Sequence, residues 1–270
     1  MGDETIDAAS FSIIRLLSGV IALLVILKLS SAVNGKPDSN KSFASKGNLT
    51  AAFMLFLYAV TFSYAYITLD TGTGALILFG TVQITIILAT IFAGDRLHLT
   101  EWAGTVIAFF GFVYLILPNI STPSFSGFIL MTISGVAWGL YTLKGRGSKN
   151  PLADTTKNFY LTTPLFIVLA LFTFQDSHLT TEGVLLAIAS GAIASGMGYT
   201  IWYIALGGLS STQAGVVQLL VPLIAAFGGV VFVSETISFR LTISALFILG
   251  GILMVVLGRY YFVQRKVNTT

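Results

Sequence analysis

The chain has 270 residues, of which 55% are apolar and only 9% charged, with a formal net charge of +3 and no cysteine. Soluble domains carry about 25% charged residues, so this deficit excludes an ordinary soluble domain, a disordered chain and a coiled coil, and leaves a polytopic membrane protein. Without cysteine there are no disulfides or thiolate metal sites, and His98 and His178 are too few for a histidine-rich one.

A helix needs about 20 largely apolar residues to cross a bilayer. Nine runs qualify, at 13–29, 48–69, 73–93, 101–117, 125–143, 155–174, 182–205, 212–233 and 241–263. Barrel strands would be about ten residues long and alternate in polarity. These runs are longer and apolar on all sides, so the expected fold is an all-α polytopic membrane protein with nine visible transmembrane helices. Only the connectors 30–47 and 144–157 are long and polar, and neither could hold a soluble domain. Residues 1–12 lack the basic segment and small-residue cleavage site of a targeting peptide.

Positive charge orients the helices. With the first visible helix running inward, one side collects Lys28, Lys36, Lys41, Lys46, Arg96, Lys144, Arg146, Lys149, Lys157, Arg259, Arg265 and Lys266, leaving only Arg15 and Arg240 on the other. The C-terminus is therefore expected in the cytoplasm and the acidic N-terminus (Asp3, Glu4, Asp7) outside.

The runs repeat. Moved back by 140 positions, 155–174 falls on 15–34, 182–205 on 42–65, 212–233 on 72–93, and 241–263 on 101–123. Asp95 then meets Glu235, and Gly111 meets Gly251, although overall identity is low. Run 125–143 has no counterpart. The expectation is a ten-helix, five-plus-five inverted repeat lacking its first helix, with repeats at 1–117 (four helices) and 118–270 (five helices and a short cytoplasmic tail). Inverted repeats of this kind are common in secondary transporters.

The second half opens with Gly135-Val-Ala-Trp138-Gly-Leu-Tyr141. Residues 191–206 read GAIASGMGYTIWYIAL, followed by Ser210-Ser-Thr-Gln-Ala, Pro222 and Glu235. In order and spacing these resemble the EamA-type permeases of the drug/metabolite transporter superfamily. The resemblance implies two inverted five-helix repeats, export of amino acids or other small metabolites, and residence in a bacterial inner (plasma) membrane. Arg15 matches an arginine typical of the family's second helix. The missing first helix leaves open a truncated, inactive transporter fragment or a non-transporting membrane scaffold.

Polar groups in hydrocarbon need a partner or a cavity. Arg15 either snorkels or pairs structurally, or else serves substrate or gate. Gln83 and Gln218 either bond between helices or fix a polar substrate. Pro222 and Pro164 break their helices and are expected to free the carbonyls of Gln218 and Tyr160. Tyr58, Trp138 and Tyr199 are candidates for the apolar wall of a binding cavity, so the expected substrate-binding set is Tyr58, Gln83, Trp138, Tyr199 and Gln218. The small residues Ala187, Gly191, Ala194, Ser195 and Gly198 permit close helix contact, within the chain or in a homodimer. Asp95 and Glu235 sit at helix ends, where charge pairing competes with a role in proton coupling.

An intramembrane enzyme is not expected. There is no H-E-x-x-H, no membrane-placed histidine for a triad and no facing pair of carboxylates, and no nucleotide-binding glycine motif occurs. No catalytic residue, metal or cofactor is anticipated, and no nucleic acid. The expected partners are a small-molecule metabolite and the lipid bilayer.

Overall fold

The computed structural model describes residues 5–33, 48–232 and 236–261. Its helices are α1 (Ala8–Val33), α2 (Leu49–Ala65), α3 (Thr71–Phe92), α4 (Leu99–Ile116), α5 (Phe125–Gly145), α6 (Pro151–Leu161), α7 (Thr163–Thr173), α8 (Thr181–Ala189), α9 (Gly198–Leu206), α10 (Ser211–Val217), α11 (Leu220–Phe232) and α12 (Phe239–Arg259). A π-helical segment, Ser190–Met197, joins α8 to α9. Among the described residues there is no strand, only an isolated antiparallel bridge between Ile6 and Leu179.

Among the described residues eight helical stretches are long and apolar enough to cross a membrane, and α2 adds a ninth apolar helix of 17 residues. The chain is therefore a polytopic helical membrane protein. Its surface is far more apolar than that of a soluble domain, while polar side chains share the interior with apolar ones. Ser12, Thr61, Ser63, Ser134, Thr142 and Thr162 are buried, while Leu17, Ile21, Val25 and Leu29 form an exposed stripe along α1. Stripes like this on many helices amount to far more apolar surface than water tolerates, and lipid is the solvent that matches it.

Helix starts are set by side chains that accept from otherwise unpaired N–H groups, each worth about 1 kcal/mol. Asn48 caps α2, Ser124 α5, Asn150 α6, Thr180 α8 and Ser238 α12. Capping boxes start α4 (His98 with Glu101) and α10 (Ser210 with Gln213). Glu101, fully buried, is thus held at a helix end by the His98 N–H.

The chain forms two compact units. One comprises Met1–Thr68 and Ser124–Gly208, the other Leu69–Pro123 and Leu209–Thr270. Each draws helices from both repeats expected from the sequence.

In the first unit α1 touches α2, α6, α7, α8 and the π segment, and α2 lies along α5. The Ser12 hydroxyl lies 2.8 Å from both the Ala8 carbonyl of its own helix and the Ser63 hydroxyl of α2, which share its one proton, and Ser134 donates to the Tyr58 carbonyl. The small-residue stripe is used here. A Cβ at Gly191 would run into the Arg15 carbonyl and Ser18 Oγ, and one at Gly19 would lie 2.5 Å from the Phe159 ring. Only glycine permits this approach of α1 to the π segment.

In the second unit α4 and α12 pack along a similar seam. A Cβ at Gly104 would lie 2.6 Å from the Gly251 carbonyl oxygen, and one at Gly111 would lie 2.6 Å from Phe247 Cβ. Ala108, Phe112, Ile116, Val216, Leu219, Ile248 and Val255 form this unit's core.

Candidate functional site

Arg15 sits about two turns into α1 and is only 7% exposed, so it turns inward and does not snorkel. Its Nε donates to Ser195 Oγ at 2.8 Å, and its Nη2 donates to the hydroxyls of Tyr199 at 2.7 Å and Tyr58 at 3.4 Å. The guanidinium also lies 5.5 Å from the Tyr58 ring centre and 5.6 Å from that of Phe62, one turn further along α2. Cation–π contact of this kind contributes about 0.5–2 kcal/mol. Among the described residues no carboxylate pairs with Arg15.

The π segment supplies two of these partners. Ser195 lies within it and Tyr199 in the first turn of the helix that follows. An inserted π turn changes the angle at which successive side chains leave the helix, and such turns recur at functional sites. Gly191, Ser195 and Tyr199 follow one another at four-residue spacing. Gly191 admits α1, and the other two hold its arginine.

Aromatic rings close around this group. Trp138 of α5 stands 4.8 Å from Tyr58 and 4.7 Å from Tyr199, centre to centre. Tyr141 and Phe159 stand 6.3 and 6.0 Å from Tyr199. Tyr58, Trp138 and Tyr199 therefore converge on Arg15, although they come from three helices far apart in sequence. Ser195 and Phe62 join them without having been singled out from the sequence. Ser195 read there only as a small packing residue, and Phe62 as one apolar residue among many.

Gln83 and Gln218 belong to the other unit and are each 5% exposed. Among the described residues the Gln83 Nε2 has no hydrogen-bond partner, and its residue lines a 410 Å³ groove with Trp102, Thr105 and Phe109. Gln218 Nε2 donates to the Ala214 carbonyl, one turn earlier on the same stretch. The chain breaks between α10 and α11, just before Pro222, but the Gln218 carbonyl is not left free. It accepts from the Val221 N–H at 3.0 Å, because the backbone tightens to a three-residue turn there. The break near Pro164 falls at Thr162, between α6 and α7; the Thr162 hydroxyl donates to the Phe159 carbonyl.

The second unit also contains a 1070 Å³ cavity, lined by Phe79, Leu115 and Pro222 together with Asp70, Asn119 and Arg240. Its charges are partly engaged. Asp70 accepts from Ser121, and Arg240 lies over the Tyr114 ring. Asp95 follows α3, its N–H donating to the Thr90 carbonyl, while Glu235 lies outside the described residues. Among the described residues no group of three or more His, Asp or Glu side chains could hold a metal.

The profile of the EamA-like transporter family matches residues 2–117 and 125–257. An uncharacterized protein of Pseudomonas aeruginosa is 43% identical over 258 residues, covering 95% of this chain and 87% of the relative. An uncharacterized transporter of Archaeoglobus fulgidus is 28% identical over 246 residues, 87% of this chain and 83% of its own length. The uncharacterized transporter YoaV of Bacillus subtilis is 20% identical across 99% of this chain and 92% of its own. A solved crystal structure shares the fold with a TM-score of 0.76 at 16% identity, covering 97% of this chain and 91% of that one.

Proposed function

The chain belongs to the EamA-like transporter family, and from that premise we propose that it is a secondary transporter that exports a small metabolite, such as an amino acid, by alternating access. The membrane is the inner membrane of a bacterium, with the C-terminus in the cytoplasm, as the distribution of Lys and Arg supports. The observation behind this reading is the buried Arg15, held by neutral hydroxyls and walled by Tyr58, Trp138 and Tyr199. An arginine at a helix centre costs about 2.5–3.5 kcal/mol on the insertion scale. A purely structural use of such a charge would be served better by a carboxylate partner than by three neutral hydroxyls. Gln83 and Gln218 are the amides of the second unit for which a role in substrate passage is proposed.

The test is transport into proteoliposomes containing the purified chain, with amino acids, nucleosides and sugars as separate panels. One panel should be taken up in counterflow. Trp138→Ala and Tyr199→Ala should each lower initial rates by about tenfold or more in protein that still unfolds cooperatively above the assay temperature, and Gln83→Ala and Gln218→Ala are assayed beside them. Failure to move any panel, or unchanged kinetics in all of these variants and Tyr58→Ala, overturns the reading.

A further inference from the structure

Counting hydrogens around Arg15 identifies the class of ligand. A guanidinium has five N–H donors and no acceptor. One goes to Ser195, and Nη2 serves Tyr58 and Tyr199. Nη1 bonds to none of the described residues, nor is it among the buried atoms left without a partner. It therefore accounts for part of the 7% of Arg15 that stays accessible. The Tyr199 hydroxyl donates to that of Tyr58 at 3.4 Å, which leaves the Tyr58 proton uncommitted. Three donors and a full positive charge thus remain, and the hydroxyl oxygens around them are already accepting.

A neutral ligand that both donates and accepts would leave this surplus unmet. A cation would be repelled. The chemistry that satisfies it is an anion with at least two acceptor oxygens. Flat rings border the position, with Trp138 within 5 Å of both tyrosine centres. We infer that Arg15, with the Tyr58 hydroxyl, is the carboxylate-recognition subsite of the transporter, and that the substrate's apolar body lies against Trp138. This rests on the transport reading for its physiological meaning, although binding can be measured without transport. Arg15 would then select organic acids and amino acids over sugars, nucleosides and amines.

An anionic lipid headgroup offers similar oxygens, so the test separates the two sources. Phenylacetate and phenylacetamide share shape and ring and differ in charge. Their affinities are measured by titration calorimetry on the full chain in nanodiscs of phosphatidylcholine alone, then with phosphatidylglycerol added. The parent protein should prefer phenylacetate by about ten- to a hundredfold, the range of a single charge-assisted bond. Arg15→Gln should abolish the preference. Tyr58→Phe, which keeps the ring and loses the free proton, should reduce it several-fold at an unchanged melting temperature. Arg15→Lys, a point charge without the fork, should retain part of it.

Equal affinities in the parent protein, no binding of either probe, or a preference that survives in a folded Arg15→Gln variant overturn the assignment. Loss of phenylacetate binding by competition when phosphatidylglycerol is added reassigns the subsite to lipid and also overturns it. Transport of the sugar or nucleoside panel alone would leave the transporter reading standing while removing this inference. Carboxylate binding without transport of any panel would do the reverse.

Discussion

Replacing Gly251 by alanine, beside the same change at its neighbour Gly250, isolates the packing of α4 against α12. A Cβ at Gly251 would lie 2.5 Å from the Ala108 nitrogen and 2.8 Å from its Cβ, and would also meet the Gly104 carbonyl. Carbon contacts are comfortable only from about 3.5 Å, so the two helices must part by about 1 Å. At Gly250 nothing lies within 4 Å. Alanine gains up to about 1 kcal/mol of helix propensity at either position, so the difference between the variants reports the clash alone. Overpacking of this kind costs about 1–3 kcal/mol, equivalent to a fall of about 2–10 °C in melting temperature for a chain of this size. Thermal unfolding followed by intrinsic fluorescence in one detergent gives the comparison. If Gly251→Ala melts at or above Gly250→Ala, the close seam is wrong.

In the first unit, Gly191→Ala should destabilise by about 3 kcal/mol, the upper end of overpacking, because its Cβ would enter the Arg15 carbonyl and Ser18 Oγ; an unchanged melting temperature would refute the contact. Ser195→Ala should cost about 1–3 kcal/mol by leaving the Arg15 Nε buried without its acceptor, whereas Ser195→Cys, which keeps a weak acceptor, should cost less in the same melt. Outside the membrane-spanning segments, Asp7 links the chain start to the connector before α8, accepting from the N–H groups of Ser10 and His178. Partial burial pushes the Asp7 carboxyl up, but bonds from Ser10, His178 and Ala9 outweigh it and hold the group below its ordinary value of 3.8. A folded value below the unfolded one means that Asp7 contributes stability above about pH 4. That contribution is lost as pH falls through the folded value. Protection of the His178 and Thr180 amides in hydrogen exchange should drop there, and Asp7→Asn should abolish the pH dependence. A drop that persists in the variant would exclude Asp7 as its source.

The membrane helices were legible because their residues are apolar on every face, a pattern no soluble element sustains. The start of the first was not. The apolar run begins at residue 13, yet α1 starts at Ala8, because Ser12 satisfies its own hydroxyl on the Ala8 carbonyl and so rides inside the helix. The hydropathy of the continuous run 155–174 does not show the interruption at Thr162; Pro164, two residues on, was its sequence signal. Tyr58, Trp138 and Tyr199 could be picked out as candidates for the apolar wall of a cavity. Their convergence on Arg15 depends on pairings 43 to 184 positions apart, which hydropathy does not encode. Gln218 shows the opposite failure. The proline rule identifies a carbonyl without its usual donor, and the local turn then supplies another, the Val221 N–H.

The first unit's helices come from two stretches of chain separated by residues 69–123, and this sets a schedule for biosynthesis. Arg15 and its acceptor Ser195 are 180 positions apart. At about 5–20 residues per second of synthesis, the arginine emerges on the order of 10–40 s before that acceptor exists. Through that interval α1 must carry a guanidinium without the hydroxyls of Ser195 and Tyr199 to accept its N–H groups, in the insertion machinery or at the lipid headgroups. Slowing translation after α2 should therefore leave more of the nascent chain open to quality-control proteolysis. Expressing the first half of the chain alone would supply α1 with neither Ser195 nor Tyr199.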